Sequence, residues 1–107
     1  MNKRIRKKQL KKIGKYVPNK DTWSLDITIA EFVLPRLELF RKVIDCFPYE
    51  FNSIEEWYEI LDKMIEAFRL ITEKFSHLYT SSEEKERQEK INCGLDLFRK
   101  YYNHLWW

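Results

Sequence analysis

The sequence has very little glycine or proline for its length. Among 107 residues only two are glycine and three are proline, whereas 44% are hydrophobic and 35% are charged. Glycine and proline are residues of turns, and long unbranched side chains are typical of helices. No segment alternates apolar and polar residues in the way that indicates a strand. We therefore expect an all-α fold with one core, since a chain of this length supports no more than one.

Long apolar runs are absent, and cysteine is scarce. No segment approaches the roughly 20 apolar residues of a membrane-spanning helix. The basic N-terminus lacks the apolar region that follows it in a signal peptide. We therefore expect a cytoplasmic protein without membrane association. Cys46 and Cys93 are far apart and have no CxxC spacing, so we expect buried free thiols rather than a disulfide or a reactive thiol.

Residues that commonly carry catalysis are few and scattered. His77 and His104 lie in different predicted elements, and no metal-binding, phosphate-loop or nucleophile motif is present. Glu73 and His77 are four residues apart, which is at most half of a metal site. Asp26 and Asp62 are better explained as a helix cap and a surface acid than as paired catalytic carboxylates. We expect no enzymatic activity, no metal and no cofactor.

Acidic residues are missing from the first 20 positions, which we call the basic arm. The arm holds nine of the 20 basic residues and has a charge of +9, whereas residues 21–107, the body, have 11 basic and 17 acidic residues and a charge of −6. Such density favours binding to nucleic acid without sequence preference, or to an acidic partner. The alternatives are a solubilising tail or docking on the acidic body. The arm is expected to be disordered or helical.

An aromatic ring at the end of the arm, Tyr16, could stack on a base. The candidate contact residues of the arm are Arg4, Arg6, Lys7, Lys8, Lys11, Lys12, Lys15 and Tyr16.

Three segments of the body have helical periodicity, which predicts a small three-helix bundle over residues 21–107. The first begins near Trp23 and is expected to kink at Pro35 rather than to split into two helices there. Its apolar face comprises Ile29, Val33, Leu37, Phe40 and Ile44. The second begins with a capping box over Ser53-Ile54-Glu55-Glu56, and its apolar stripe comprises Trp57, Leu61, Met64, Phe68, Ile71 and Phe75.

The third helix has a cap candidate at Ser81-Ser82-Glu83-Glu84. Its predicted apolar face comprises Ile91, Leu95, Phe98, Tyr102 and Leu105, and Gly94 on the same side indicates close approach by another helix. Three ion pairs four residues apart are expected on exposed faces, namely Glu59 with Lys63, Glu83 with Arg87 and Glu86 with Lys90.

Aromatic residues are concentrated near residue 107, around more than one helical face. Because they cannot all enter one core groove, they are candidates for a protein interface, where Tyr and Trp are enriched. The alternative is that Trp106 and Trp107 fold back over the bundle end, against Trp23 or Pro35. The interface candidates are Tyr101, Tyr102, Trp106, Trp107 and Arg36.

Part of the body resembles a pattern of small tailed-bacteriophage proteins. The pattern comprises Trp23-Ser24-Leu25-Asp26, Thr28-Ile29-Ala30, Phe32, Pro35-Arg36-Leu37, Glu56-Trp57, Ile60-Leu61-Asp62-Lys63-Met64-Ile65, Ala67-Phe68, Gly94-Leu95, Leu97-Phe98, Lys100-Tyr101 and Leu105-Trp106. It covers most of residues 23–106 and excludes the basic arm. The resemblance implies the cytoplasm of an infected bacterial host and brings no catalytic residues. Within the pattern, Trp23, Trp57 and Phe68 are expected in the core, and Asp26 and Arg36 as a cap and an ion pair.

The leading functional prediction is a non-enzymatic phage accessory protein that acts by binding. By analogy with effectors of this size, its expected target is a host defence or nucleic-acid-processing protein, such as a CRISPR effector, which it would inhibit. The first alternative is a nucleic-acid-binding module that uses the arm for DNA or RNA. Two further alternatives are a self-associating structural protein, with a homodimer through Trp106 and Trp107, and a protein that sequesters a signalling nucleotide.

Overall fold

The computed structural model describes residues 2–73 and 79–107, in which all regular secondary structure is helical. Four α-helices occur in these ranges: α1 (Lys3–Lys12), α2 (Leu25–Val43), α3 (Ile54–Thr72) and α4 (Ser81–Lys100). Short 3₁₀ turns precede α2 at Asn19–Thr22 and follow α4 at Tyr102–His104. The all-α prediction is confirmed, and the arm contains a helix of its own. The predicted contributions of Phe75 and His77 lie outside the described residues.

The starts of α3 and α4 follow capping rules, with small differences from the prediction. The Glu56 amide donates to Ser53 Oγ at 3.4 Å, as a capping box requires. The Glu56 carboxylate, however, accepts from the amide of Asn52 at 3.0 Å rather than from that of Ser53. Helix α4 is capped one residue earlier than predicted, because Thr80 Oγ1 accepts from the Glu83 amide at 3.2 Å.

Helix α2 runs without interruption through Pro35. Since proline has no amide hydrogen, the helix lacks one backbone hydrogen bond at this point. The division into two helices is excluded, and the kink stays a prediction. The N-cap, Ser24, has a φ of +48° and makes no capping hydrogen bond through its side chain. An L-residue in this left-handed conformation is strained, so α2 begins at a less favourable site than α3.

Helix α3 occupies the centre of the body. It packs against α2 on one side and α4 on the other, and among the described residues no comparable contact joins α2 to α4. The contact with α4 is very close at Gly94. A Cβ there would overlap the Cβ of Ala67 and lie 2.5 Å from the carbonyl oxygen of Lys63. The close approach predicted for Gly94 is therefore confirmed.

The core is built mainly from α3, where seven residues are buried, against two each in α2 and α4. An aromatic cluster closes one end of it. The Tyr101 ring lies 5.5 Å from Trp57 and 5.4 Å from Phe51, measured between ring centroids. Trp57 and Phe68 are in the core as predicted, but the prediction for Trp23 is wrong, since its side chain is 75% exposed. It lies between the 3₁₀ turn at Asn19–Thr22 and the start of α2.

None of the three predicted ion pairs forms in the described structure, and two of the four that do form connect different elements. Arg41 of α2 donates to Asp62 of α3 through Nε at 2.6 Å and Nη2 at 3.2 Å. Arg87 does not pair with Glu83. Its Nη1 donates to Glu84 at 3.0 Å and its Nη2 to the carbonyl oxygen of Leu70 at 2.8 Å, which joins α4 to the end of α3. No ion pair forms between Glu59 and Lys63 or between Glu86 and Lys90 in the described structure.

The molecule is extended rather than spherical. Its Cα radius of gyration is 17.7 Å, whereas a compact chain of this length would have about 13 Å. The extents along the principal axes are 55, 40 and 20 Å. Helix α1 has no buried residue, so the arm contributes little to the core. None of the described helices combines the length and the apolar character needed to cross a bilayer.

Candidate interaction surfaces

The basic arm presents its charge on a fully accessible helix. Helix α1 is capped by Asn2, whose Oδ1 accepts from the Ile5 amide at 2.9 Å. It ends at Lys12, and Gly14, two residues later, has a φ of +72°, which glycine adopts easily. Every residue of α1 is exposed except the half-buried Leu10. All seven cations of the helix are therefore available to a partner, and no acidic residue neutralises them from within it.

Within the arm, the Tyr16 ring packs against two lysines of α1. The Nζ atoms of Lys7 and Lys11 both lie 5.1 Å from the centroid of its ring. These distances are within the range of cation–π attraction. The structure thus brings three of the predicted arm residues together, and the lysines compete with any base that would stack on Tyr16.

A second surface is an apolar groove of about 580 Å³ between α2 and the residues that follow α4. We call it the aromatic groove. Trp106 and Trp107 line it and remain 69% and 75% exposed. The fold-back that was the alternative for these two residues is only partial, because they reach α2 without becoming buried. The remaining lining residues are Phe32, Val33, Arg36, Leu37, Leu39, Phe40, Val43, Phe98 and Leu105.

Arg36 is the charged residue of the groove. Its guanidinium carbon lies 3.6 Å from the centroid of the Phe32 ring, and its Nη1 donates to the Phe32 carbonyl oxygen at 2.8 Å. No ion pair with Asp26 forms, and Asp26 is an exposed residue of the first turn of α2 rather than its N-cap. Arg36 is thus fixed over an aromatic ring at the surface, with its charge unneutralised within the described residues.

The other two interface candidates differ from each other. Tyr101 is buried in the aromatic cluster with Trp57, so its side chain is a core residue and is not accessible to a partner. Tyr102 is exposed and packs edge-on against Phe98 at 5.6 Å. The aromatic groove and Tyr102 together therefore retain four of the five predicted interface residues. Sequence reasoning missed Phe32, Leu39 and Val43, which complete the groove.

A smaller cavity of about 260 Å³ lies beside His104 and Cys46. Its other lining residues are apolar or aromatic, namely Ile44, Phe47, Pro48, Trp57 and Trp106. His104 Nδ1 is buried without a hydrogen-bond partner in the described structure, and the ring packs edge-on against Tyr101. Among the described residues, no carboxylate or second histidine lines this cavity.

Of the acid–base and metal candidates, Asp26, Asp62 and Glu73 have different surroundings, whereas His77 lies outside the described residues. Asp62 is paired with Arg41, and Asp26 is on the exposed start of α2. Glu73 accepts a hydrogen bond from the Tyr79 hydroxyl, and this bond raises the pKa of the phenol above its usual value. Within residues 2–73 and 79–107, no three His, Cys, Asp or Glu side chains are grouped as a metal site would require. Both cysteines are free and exposed, which corrects the prediction that they are buried.

Comparisons with protein-family models, with curated proteins and with solved structures found no match to this chain.

Proposed function

We propose that this protein is a non-enzymatic accessory protein of a tailed bacteriophage, which acts in the cytoplasm of the infected host. In this proposal it binds and inhibits a host defence or nucleic-acid-processing protein, such as a CRISPR effector. The phage setting comes from the resemblance within residues 23–106. The observation that supports a binding function is the geometry of α1, whose cations are all exposed on a helix that no acidic residue interrupts.

The basic arm is the proposed contact with the target. A host complex that holds nucleic acid exposes phosphates, and an acidic patch on a host protein carries the same sign of charge, so either one would attract a dense cationic helix. The body, as a three-helix unit with α2 kinked at Pro35, would hold the arm away from its own acidic residues. The dimensions of 55 by 40 by 20 Å support this arrangement, since a compact body with a collapsed arm would be smaller.

The test of this proposal is a capture experiment from lysate of a bacterial host, with and without nuclease treatment. The bait is the full chain, compared with an arm variant in which Lys7, Lys8, Lys11 and Lys12 are changed to Gln. Glutamine preserves helix propensity, so α1 should persist. The matched control makes the same change at four exposed lysines of the body, Lys42, Lys63, Lys85 and Lys90.

The proposal predicts a protein partner that survives nuclease, is lost with the arm variant, is retained by the body variant, and is inhibited by the purified chain. Capture that is equal for the arm and body variants would contradict the role of the arm. A partner whose activity is unchanged by saturating amounts of the chain would contradict inhibition.

A nucleic-acid-binding module is the second candidate, favoured by the same exposed helix. Here the arm itself binds DNA or RNA, and Tyr16 is released from Lys7 and Lys11 to stack on a base. Affinity would then fall steeply with salt, with a logarithmic slope of about −0.9 per duplex phosphate contacted. The arm variant should reduce that slope by up to about 3–4. Capture of nucleic acid alone in the lysate experiment would favour this candidate over the first.

A further inference from the structure

Helix α2 has a second apolar stripe, which points away from α3. It consists of Leu25, Ile29, Phe32, Arg36, Leu39 and Val43, and we call it the outer stripe. The steps between these residues alternate between four and three, as in the seam of a coiled coil. At 3.6 residues per turn the six positions fall within about 80° of the helix circumference. The five apolar members remain between 39% and 60% exposed.

The outer stripe lies beside the face of α2 that packs on α3, about 120° around the helix from the residues buried there. That inner face contributes Ala30 and Leu37 to the core, and Ile44 follows at the same spacing. Trp106 and Trp107 approach the outer stripe from one side, across the aromatic groove, and leave it exposed. A surface helix normally carries polar residues opposite its buried face. Packing among the described residues of one copy therefore does not account for the outer stripe.

The sequence of the outer stripe is symmetric about residue 34. If two copies of α2 lie antiparallel and centred there, Leu25 faces Val43 of the second copy, and Ile29 faces Leu39. The central pair places Phe32 against Arg36 of the second copy. Every aliphatic residue thus meets another aliphatic residue, and the one cation meets an aromatic ring.

Arg36 favours a second copy of α2, rather than a purely aliphatic partner, as the occupant of the outer stripe. An unpaired cation in the middle of an apolar interface would lose hydration without compensation if the partner were only aliphatic. In the isolated chain its guanidinium already lies over the Phe32 ring at 3.6 Å. Antiparallel pairing would supply a second ring, from the other copy, on which the same cation can act.

The available area is consistent with a dimer. Phe32, Trp106 and Trp107 are 59%, 69% and 75% exposed. Because an aromatic side chain has about 150–250 Å² to bury, these three leave roughly 300–500 Å². The other five residues of the outer stripe add to this area and bring it closer to the value of about 800 Å² per partner that a standard interface buries. The surface also contains both a concave groove and projecting tryptophans, which an isologous interface needs in one patch.

We propose that the outer stripe of α2 is a homodimer interface, in which α2 of a second copy lies antiparallel along it and against Trp106 and Trp107. The helices would cross at about 20° with axes 8–10 Å apart, as in other seams of this spacing. The dimer would present two basic arms, so that the second arm binds at a high effective concentration once the first is bound. The proposal does not depend on which partner the arms bind.

The test is sedimentation equilibrium with charge-swap variants of the full chain. Ile29→Lys alone and Leu39→Glu alone each bury two unpaired charges per dimer and should raise the dissociation constant at least about 100-fold. The double variant Ile29→Lys/Leu39→Glu should restore the dimer, because residue 29 faces residue 39 of the other copy. Both positions are exposed in a single copy, so the variants should fold, as circular dichroism can verify.

Two substitutions complete the design. Glu38→Lys changes a charge on an exposed residue of α2 outside the outer stripe. It should leave the dissociation constant within about twofold of that of the unmodified chain, which is less than half of the 1.4 kcal/mol that corresponds to a tenfold change. Phe32→Ala should weaken the dimer, because it removes the ring that faces Arg36 of the second copy.

A strictly monomeric unmodified chain would overturn the proposal. Dimers that both single charge variants leave intact would overturn the assignment to this face. Dimers lost in the single variants but not regained in the double variant would overturn the antiparallel register, since parallel pairing places residue 29 against itself.

Discussion

Helices α2 and α3 have the same length and contrasting roles. Each is 19 residues long, and each has a serine at its N-cap. Helix α3 buries seven residues and is capped by the Ser53 hydroxyl, whereas α2 buries two and begins at a strained Ser24 without such a bond. The apolar residues of α3 largely share one face. Those of α2 divide between a face toward α3 and the outer stripe.

The difference shows that apolar content alone does not determine how a helix is buried. Helix α3 lies between two neighbours, so its apolar face is covered by this chain. Helix α2 has one such neighbour and keeps an apolar stripe in solvent. Exposed apolar patches of this kind are typical of interaction sites rather than of free surfaces. We therefore interpret α3 as the centre of the fold and α2 as a link between the fold and a partner.

The largest effect on stability is expected when a leucine is changed to alanine in α3, compared with the same change in α2 as a separate variant. Leu61→Ala in α3 removes a fully buried side chain and should lower the free energy of unfolding by about 2–5 kcal/mol. Leu39→Ala in the outer stripe should change it by less than about 0.5 kcal/mol in the monomer. Urea denaturation at the lowest practical protein concentration measures both. Equal losses would mean that the outer stripe is part of the monomer core.

A smaller loss of stability should follow from Gly94→Ala, which tests how closely α4 packs against α3. A Cβ at this position would lie 2.5 Å from the Lys63 carbonyl oxygen, so α4 must move away from α3. We expect a net destabilisation of about 1–3 kcal/mol despite the better helix propensity of alanine. The control is Cys93→Ala at the exposed neighbouring position, with an expected change within about 0.5 kcal/mol. A stabilised Gly94→Ala protein would show that the helices are farther apart.

The smallest effects on the free energy of unfolding are expected at the N-caps of α2 and α3, and the two effects should have opposite signs. Ser24→Gly relieves a φ of +48° and removes no capping bond, so we expect stabilisation by about 0.5–1 kcal/mol. Ser53→Gly removes the hydroxyl that accepts from the Glu56 amide and should cost a few tenths of a kcal/mol, roughly 0.3. Thermal unfolding of the two variants side by side would resolve the signs. Destabilisation by Ser24→Gly would contradict the strain at the start of α2.

The sequence was sufficient to predict the α3 helix, because one cap and one stripe with regular spacing coincide there. It was also sufficient for Gly94, since a glycine in the middle of an apolar helix face favours close contact with a second helix. Trp23 was misplaced because its hydrophobicity indicates burial, whereas its position before α2 gives it no neighbouring element to pack against. Tyr101 was misplaced for the opposite reason, since the Phe51 and Trp57 rings that cover it are distant in sequence.

The outer stripe was overlooked because α2 satisfies two helical patterns at once. Ile29 fits both, and assigning it to the inner face left Phe32 and Leu39 as scattered surface residues. The alternating steps of four and three from Leu25 to Val43 were visible in the sequence. Which of the two stripes is covered depends on the position of α3, a tertiary property that periodicity alone does not specify.

The most direct test of the two roles of α2 is the midpoint of thermal unfolding as a function of protein concentration. A dimer through the outer stripe stabilises the folded state by mass action, so the midpoint of the unmodified chain should rise with concentration. Leu39→Glu should give a constant midpoint equal to that of the unmodified chain at high dilution. A midpoint independent of concentration in the unmodified chain, or one that Leu39→Glu lowers even at high dilution, would contradict the account.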